Sequence, residues 1–228
     1  MLEDNSRVDT NELKDIYNQR FNDQGTSFRV KMWQSLVKII FSRYINKNDT
    51  VLDLGAGYGE FINNIECKNK IALDLNPDTK KYLNEDIQLI LDDCANIESI
   101  DDNSVNVIFN SNFFEHLKDK DHLSATISEC SRILCKGGLL ITMMPNIRYA
   151  YKEYWDFYDH YIPLSDKSLG EILSLKGFSI QKSYPQFVPY SATGGRLPNS
   201  ILLLKIYLRL PFAWKIFGKQ MLVIAKKK

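Results

Sequence analysis

The stretch Asp53-Leu54-Gly55-Ala56-Gly57-Tyr58-Gly59 follows the apolar pair Val51-Leu52 and sets three glycines at alternate positions. Residues without a Cβ let the backbone turn sharply and let a ligand lie against it, and a helix opening after the turn would aim unpaired N–H groups at ligand oxygens. The spacing is GxGxG, with Glu60 where a dinucleotide fingerprint has its third glycine, which argues against a nicotinamide cofactor. Asp53 would repel a pyrophosphate and attract a cationic sulfonium or ammonium group. Asp74, followed by Leu75, closes the second apolar run, where an acidic side chain can accept from both ribose hydroxyls. Asp93, followed by Cys94, closes the third run, where it can accept from an exocyclic adenine amine.

Three carboxylates at successive run ends describe a nucleoside carrying a positive charge, so S-adenosylmethionine is the expected cofactor. Its methyl group is already activated, so the protein must position an acceptor and, for a hydroxyl, remove a proton. Of the three histidines, His122 lies on a polar stretch, and the candidates for that base are His116 beside Glu115 and His160 inside Tyr154-Trp155-Asp156-Phe157-Tyr158-Asp159-His160-Tyr161, on segments expected at the cofactor-facing edge. His160 is favoured slightly over His116, because Asp159 or Asp156 stands ready to orient its imidazole. The competing roles are an aromatic packing cluster for His160 and local helix-start bonding for His116. The fourth run ends in Asn110-Ser111-Asn112 rather than carboxylates, so no metal is expected.

Short apolar runs alternating with polar or helical stretches must position these groups: Val51–Leu54, Lys70–Leu73, Ile87–Leu91, Val105–Phe109 and Leu139–Met143. That rhythm is the signature of βαβ units, and runs apolar on both faces suit a parallel sheet covered on both sides. Two further strands are expected near Ser179–Lys182 and Met221–Ala225, giving an α/β, doubly wound, mostly parallel seven-stranded sheet. Ser165 opens a helix before the sixth strand and Gly177 ends it. Before the sheet, Asp9 and Glu12 are spaced as a capping box, and Trp33, Leu36, Val37, Ile40, Phe41 and Tyr44 form a helical apolar stripe. The 228 residues are read as one domain: an N-terminal helical flank over 1–46, a cofactor-binding core over 50–182, an insertion over 183–218 and the last strand over 219–228.

The insertion contains Gly194-Gly195-Arg196-Leu197-Pro198, then Ile201, Leu202, Leu204, Ile206, Tyr207 and Leu208, with Lys205 and Arg209 one turn apart. Packing on its own domain is the plain role of such a helix; a subunit or peripheral membrane contact through 197–217 is the other. Lys205 and Arg209 interrupt the apolar run, so no transmembrane segment is expected. Met1-Leu2-Glu3-Asp4-Asn5 has no basic start, and Cys67, Cys94, Cys130 and Cys135 form neither a CxxC pair nor a disulfide framework, which suits a cytoplasmic location. With 29 basic against 28 acidic residues the net charge is +1, and Met144-Pro145-Asn146 departs from the Pro-Pro-aromatic pattern of amino-methylating nucleic-acid enzymes. A nucleic-acid partner is therefore not expected.

In order, VLDLGAGYGEF, ALDLNP, DDCANIE, VIFNSNFFEHL and CKGGLLITMMPN resemble the class I S-adenosylmethionine-dependent methyltransferases across residues 50–182. The resemblance implies that Gly55, Gly57 and Gly59, with Ala56 and Tyr58 between them, form the cofactor turn. It assigns Asp74 to the ribose, Asp93 to the adenine and Asn110-Ser111 to the methionine side, and places an antiparallel last strand between the fifth and sixth. Asn106 stands where many relatives are acidic, at a position that is usually structural. YWDFYDHYIPLS and YLRLPFAWKIFGKQMLVIAKK resemble a bacterial subgroup linked to surface-polysaccharide biosynthesis, which implies a sugar hydroxyl on a nucleotide-linked or lipid-linked carbohydrate. Another small-molecule acceptor, including an amine, a non-catalytic cofactor-binding module and a NAD-dependent oxidoreductase are the alternatives.

Overall fold

The computed structural model describes residues 27–190 and 200–228. Seven strands, β1 (Thr50–Leu54), β2 (Asn69–Leu73), β3 (Ile87–Ile90), β4 (Val105–Ser111), β5 (Leu134–Pro145), β6 (Phe178–Tyr184) and β7 (Gln220–Lys227), form one sheet. Its order is β3-β2-β1-β4-β5-β7-β6. β1 to β5 run parallel, and β7 lies antiparallel to both of its neighbours, from Leu139↔Lys226 to Pro145↔Gln220 on the β5 side. The reversed strand thus sits between the fifth and sixth, as expected.

The apolar runs serve two layers at once. On one face Leu52, Leu54, Ile108, Leu140, Val223 and Ala225 pack with α2 (Lys120–Ile133) and α4 (Asp166–Leu175). On the other, Val51, Val107, Phe109, Ile141, Leu222 and Ile224 pack with α1 (Ser27–Leu36), α5 (Ile201–Leu208) and α6 (Pro211–Phe217). Each fully buried aliphatic side chain contributes about 1.5–3 kcal/mol. A single further turn, α3 (Ile147–Ala150), follows β5. Asp119 caps α2 by accepting from His122 N–H at 2.7 Å, and Ser165 and Ser168 cap α4 reciprocally.

Three local expectations are corrected. The stripe from Trp33 to Tyr44 is not one α-helix: α1 ends at Leu36, a π turn covers Val37–Phe41 and a 3₁₀ turn covers Ser42–Tyr44. The widened turn buries Val37, Ile40 and Phe41 together against the sheet. No α-helix follows the glycine turn; a 3₁₀ turn, Ile62–Asn64, takes its place. Asn63 bonds Tyr82 O and Asn84 N across the loop and Asn64 bonds Glu60 O, so both side chains compete with helical backbone bonding. Finally, β5 begins at Leu134, before the Leu139–Met143 run, with Gly137 at φ 80 and a register shift opposite Val105/Val107. The Asp9–Glu12 box and Gly194–Pro198 lie outside the described residues.

Asn106 is structural here, its Oδ1 accepting Thr50 N–H at 2.9 Å to tie β4 to the start of β1. The consequence for chemistry is that β1 to β5 end at one edge, so the loops after Leu54, Leu73, Ile90, Ser111 and Pro145 gather there.

Candidate active site

The glycine turn leaves β1 and is fastened to β2, with Gly55 N–H and Ala56 N–H both donating to Leu73 O at 2.9 and 3.1 Å. Gly55, Gly57 and Gly59 have φ of 75, 52 and 66, the left-handed region in which a Cβ is strained. At Gly55 the requirement is double, because a Cβ there would also drive into the Phe113 ring. At Gly57 a Cβ would meet nothing within 4 Å, so the turn borders open space at that point. Tyr58 packs edge-on to Tyr82 at 4.7 Å beneath the Arg29 guanidinium, which also pairs with Glu60.

Asp53 sits in β1 just before this turn. It is 3% exposed and accepts the Ile62 N–H, and burial pushes its pKa well above the ordinary carboxylate range against that bond. That bond ties the end of β1 to the 3₁₀ turn that follows the glycines. Asp74 accepts Gly57 N–H at 2.7 Å through Oδ2 and Asn76 N–H at 2.9 Å through Oδ1. Burial raises its pKa, opposed by the two N–H groups. Leu75 beside it is exposed.

Asp93 Oδ1 accepts Ala95 N–H at 2.8 Å and lies 3.1 Å from His122 Nε2. Desolvation works against its charge, but these two partners hold its pKa below the usual value. Cys94 is buried, its thiol 3.6 Å from His122 Nε2 and 3.3 Å from Thr126 Oγ1, and burial pushes its pKa up to about 12, which favours the neutral thiol. Asn110 is fully buried; its Nδ2 donates to Thr142 Oγ1 at 3.1 Å, and its Oδ1 has no hydrogen-bond donor among the described residues. Ser111 Oγ accepts from Asn112 Nδ2 at 3.3 Å, and Asn112 itself adopts φ 48.

A second cluster forms where the chain after β4 meets the chain after β5. Glu115 O accepts both Tyr161 N–H at 2.8 Å and Ile162 N–H at 3.2 Å, which fastens the 3₁₀ turn Phe114–His116 to the aromatic segment. His116 Nδ1 consequently lies 2.9 Å from Asp159 O and 3.1 Å from Asp159 Oδ2. The carboxylate that sequence adjacency assigned to His160 therefore serves His116. Burial opposes a charge on His116, yet the Asp159 bond and the Glu115 and Asp159 charges prevail and hold its pKa above the usual imidazole value.

His160 is 5% exposed and packs among rings, 4.9 Å from Phe157 in a stack, 4.6 Å from Tyr154 and 4.8 Å from His116. It follows a 3₁₀ turn, Tyr154–Asp156, rather than lying on a helix. Glu115 is fully buried, with no hydrogen-bond partner for either side-chain oxygen among the described residues, and burial pushes its pKa to about 7 against the His116 charge. Ligand-type atoms of Glu115, His116 and His160 lie within 4.8 Å of one another, as do those of Asp93, Cys94 and His122. The sequence reading looked for carboxylates only at the end of β4 and so passed over Glu115 as a member of such a group.

Sequence reasoning missed the part played by four residues. Phe113 and Glu115 stood in plain view beside residues it chose, but nothing local says that one seats on Gly55 and the other turns inward. His122 joins Asp93 only because the first turn of α2 lies against the loop that follows β3. Asp159 was seen, with the wrong histidine.

A sheet of this order, with a glycine turn after β1 and carboxylates at the ends of β2 and after β3, is the architecture of the class I methyltransferases. Residues 52–142 match the family model described as a methyltransferase domain. An uncharacterized protein of Methanocaldococcus jannaschii is 30% identical over 197 residues, covering 84% of this chain and 80% of that one. A solved S-adenosylmethionine-dependent methyltransferase from Archaeoglobus fulgidus superposes with a TM-score of 0.67 at 21% identity, covering 94% of this chain and 99% of that one. The geranyl diphosphate C-methyltransferase of Streptomyces coelicolor, solved with Mg2+, geranyl diphosphate and S-adenosyl-L-homocysteine, gives 0.60 at 16% identity over 84% of this chain and 78% of that one. The chain belongs to the class I methyltransferases, enzymes that draw their methyl group from S-adenosylmethionine. Among the described residues no helix is long and apolar enough to cross a membrane.

Proposed function

We propose that this chain methylates a hydroxyl of a small-molecule or carbohydrate acceptor, with His116 as the general base and Asp159 as its orienting partner. One observation carries the assignment. Both atoms facing His116 Nδ1, the Asp159 carbonyl and carboxylate oxygens, are acceptors, so Nδ1 holds the proton and the neutral ring keeps its lone pair on Nε2. This reverses the sequence preference for His160, which becomes part of the wall that fixes the His116 ring.

S-adenosylmethionine, when bound, supplies an electrophilic methyl on a positively charged sulfur. The residues fit such a ligand: open space over Gly57, a buried Asn110 oxygen in want of a donor, and carboxylates at two strand ends. The Gly55–Gly59 turn with Ala56 and Tyr58 would border it, Asp74 and Leu75 would take the ribose, and Asn110 and Ser111 the methionine end. Asp93 Oδ2 would accept an adenine amine beside Cys94. The acceptor hydroxyl gives its proton to His116 Nε2, and the Asp159 carboxylate steadies the imidazolium that results.

The carbohydrate reading is supported by Tyr151, Trp155, Tyr158 and Tyr161, which are 57%, 58%, 78% and 53% exposed around the segment that carries Asp159. Aromatic faces of this kind suit the apolar face of a sugar ring. An amine acceptor is the second reading, and it needs no dedicated base once the amine is neutral.

The test measures turnover on a panel of sugar nucleotides with labelled cofactor, product mass giving the acceptor. His116→Ala should lower kcat by about 10²–10⁴ with cofactor affinity unchanged; loss in His160→Ala alone would reverse the assignment. S-adenosyl-L-homocysteine should raise Tm, and Asp74→Ala should weaken that shift; stabilisation by NAD instead would refute the site.

A further inference from the structure

The net charge of +1 conceals a sharp segregation. All 28 acidic residues lie within residues 1–171, whereas residues 172–228 contain ten basic residues and no acidic one. Three of those ten, Lys205, Arg209 and Lys215, are exposed on α5, at its C-cap and on α6, and no described carboxylate pairs with any of them. Interleaved with them are bare apolar side chains: Leu202 is 68% exposed, Phe212 65%, Ile216 67% and Phe217 57%, with Leu203 and Ile206 close to half. The helices have already committed their other faces, since Leu204, Tyr207 and Leu208 of α5 and Ala213 and Trp214 of α6 are buried. Tyr207 Oη donates to Phe187 O and Trp214 Nε1 to Tyr207 O, so the pair is fixed and the outer face is not a packing surface awaiting rearrangement.

We propose that the outer face of α5 and α6 docks on an anionic lipid bilayer, the apolar side chains entering the interface and Lys205, Arg209 and Lys215 meeting headgroup charge. Helices lying in the interface plane combine these two features. Self-association is disfavoured, because a two-fold contact would bring these three cations of each copy against those of the other. The placement also bears on the chemistry. β7 follows α6 and meets the end of β5 at Pro145↔Gln220, and Lys219 pairs with Glu153. The docking helices therefore leave the sheet at the edge where the Glu115–His116 cluster lies, beside the exposed Tyr151 and Trp155, aromatic types that favour the bilayer interface. The proposal does not depend on the identity of the base or the acceptor.

The test is co-sedimentation of the full chain with vesicles of phosphatidylcholine alone and of phosphatidylcholine with phosphatidylglycerol. Binding is expected to the mixed vesicles and not to the neutral ones, and to weaken with salt. Lys205→Gln/Arg209→Gln should lower the partition coefficient about 30-fold, and Phe212→Ser/Ile216→Ser at least about tenfold. Circular dichroism and the S-adenosyl-L-homocysteine Tm shift should be unchanged in both variants, which shows that the fold persists. No binding to phosphatidylglycerol vesicles overturns the proposal. So does a dimer in sedimentation equilibrium that Phe212→Ser/Ile216→Ser dissolves, since that assigns the face to a second copy.

Discussion

Glu115→Gln should change how stability depends on pH more than it changes stability itself. Glu115 is fully buried and has no hydrogen-bond partner among the described residues, which lifts its pKa from an ordinary 4.5 to about 7. The folded protein then holds this proton more tightly than the unfolded chain. The contribution is complete below pH 4.5 and is lost as pH rises toward 7, at about 1.4 kcal/mol per unit, or about 3 kcal/mol in all. Glutamine has nearly the same shape and no proton to lose. Unfolding free energy of Glu115→Gln minus that of the parent should therefore rise by about 3 kcal/mol between pH 4.5 and 8. Removing the Glu115 charge also lowers the raised pKa of His116, which adds to the rise with the same sign. Urea midpoints at several pH values, with m unchanged, give the difference directly. A difference that stays flat across this range, or falls, would refute the reasoning and identify Glu115 as an ionised partner of a charged His116.

With His116 as the base, turnover should rise with pH along a limb whose pKa lies above 6.5, and Asp159→Asn should move that limb to lower pH while reducing kcat; an unchanged limb would remove Asp159 from the proposed pair. Exhaustive chelation should leave turnover unaltered, whereas a loss restored by a divalent cation would convert Glu115, His116 and His160 into ligands. Gly55→Ala should lower Tm well beyond Gly57→Ala, because both incur about 1–2 kcal/mol of left-handed strain but only the first strikes the Phe113 ring; equal losses would contradict the packing described.

The sheet was legible because its signal is redundant. Val51, Leu52 and Leu54 are buried on opposite faces, and such runs read as strands whatever surrounds them. The glycine turn was equally plain, since only glycine takes three left-handed positions so close together at little cost. Turn neighbours were harder: nothing local to Asp53 shows that it is buried and accepts the Ile62 N–H from beyond the glycines. The pairing of Asp159 with His116 was invisible because it depends on Glu115 O receiving two N–H groups from residues 161 and 162, a contact made by the fold between chain segments far apart in sequence. Local helical pattern also misled at Val37–Phe41, where apolar spacing reports which residues are buried and not which kind of helical turn buries them.

The position of β7 has a consequence for assembly. Among the described residues β6 hydrogen-bonds to no strand but β7, and the outer edge of β5 also waits for β7, which lies in the chain about 75 residues beyond it. Until Gln220–Lys227 is inserted, two strands rich in unsatisfied N–H and C=O groups face each other across a gap. A chain with β7 removed would therefore offer the edges of both β5 and β6 to a second chain. The sheet that gathers the catalytic edge is thereby also a clasp, fastened by the strand that comes latest in the sequence.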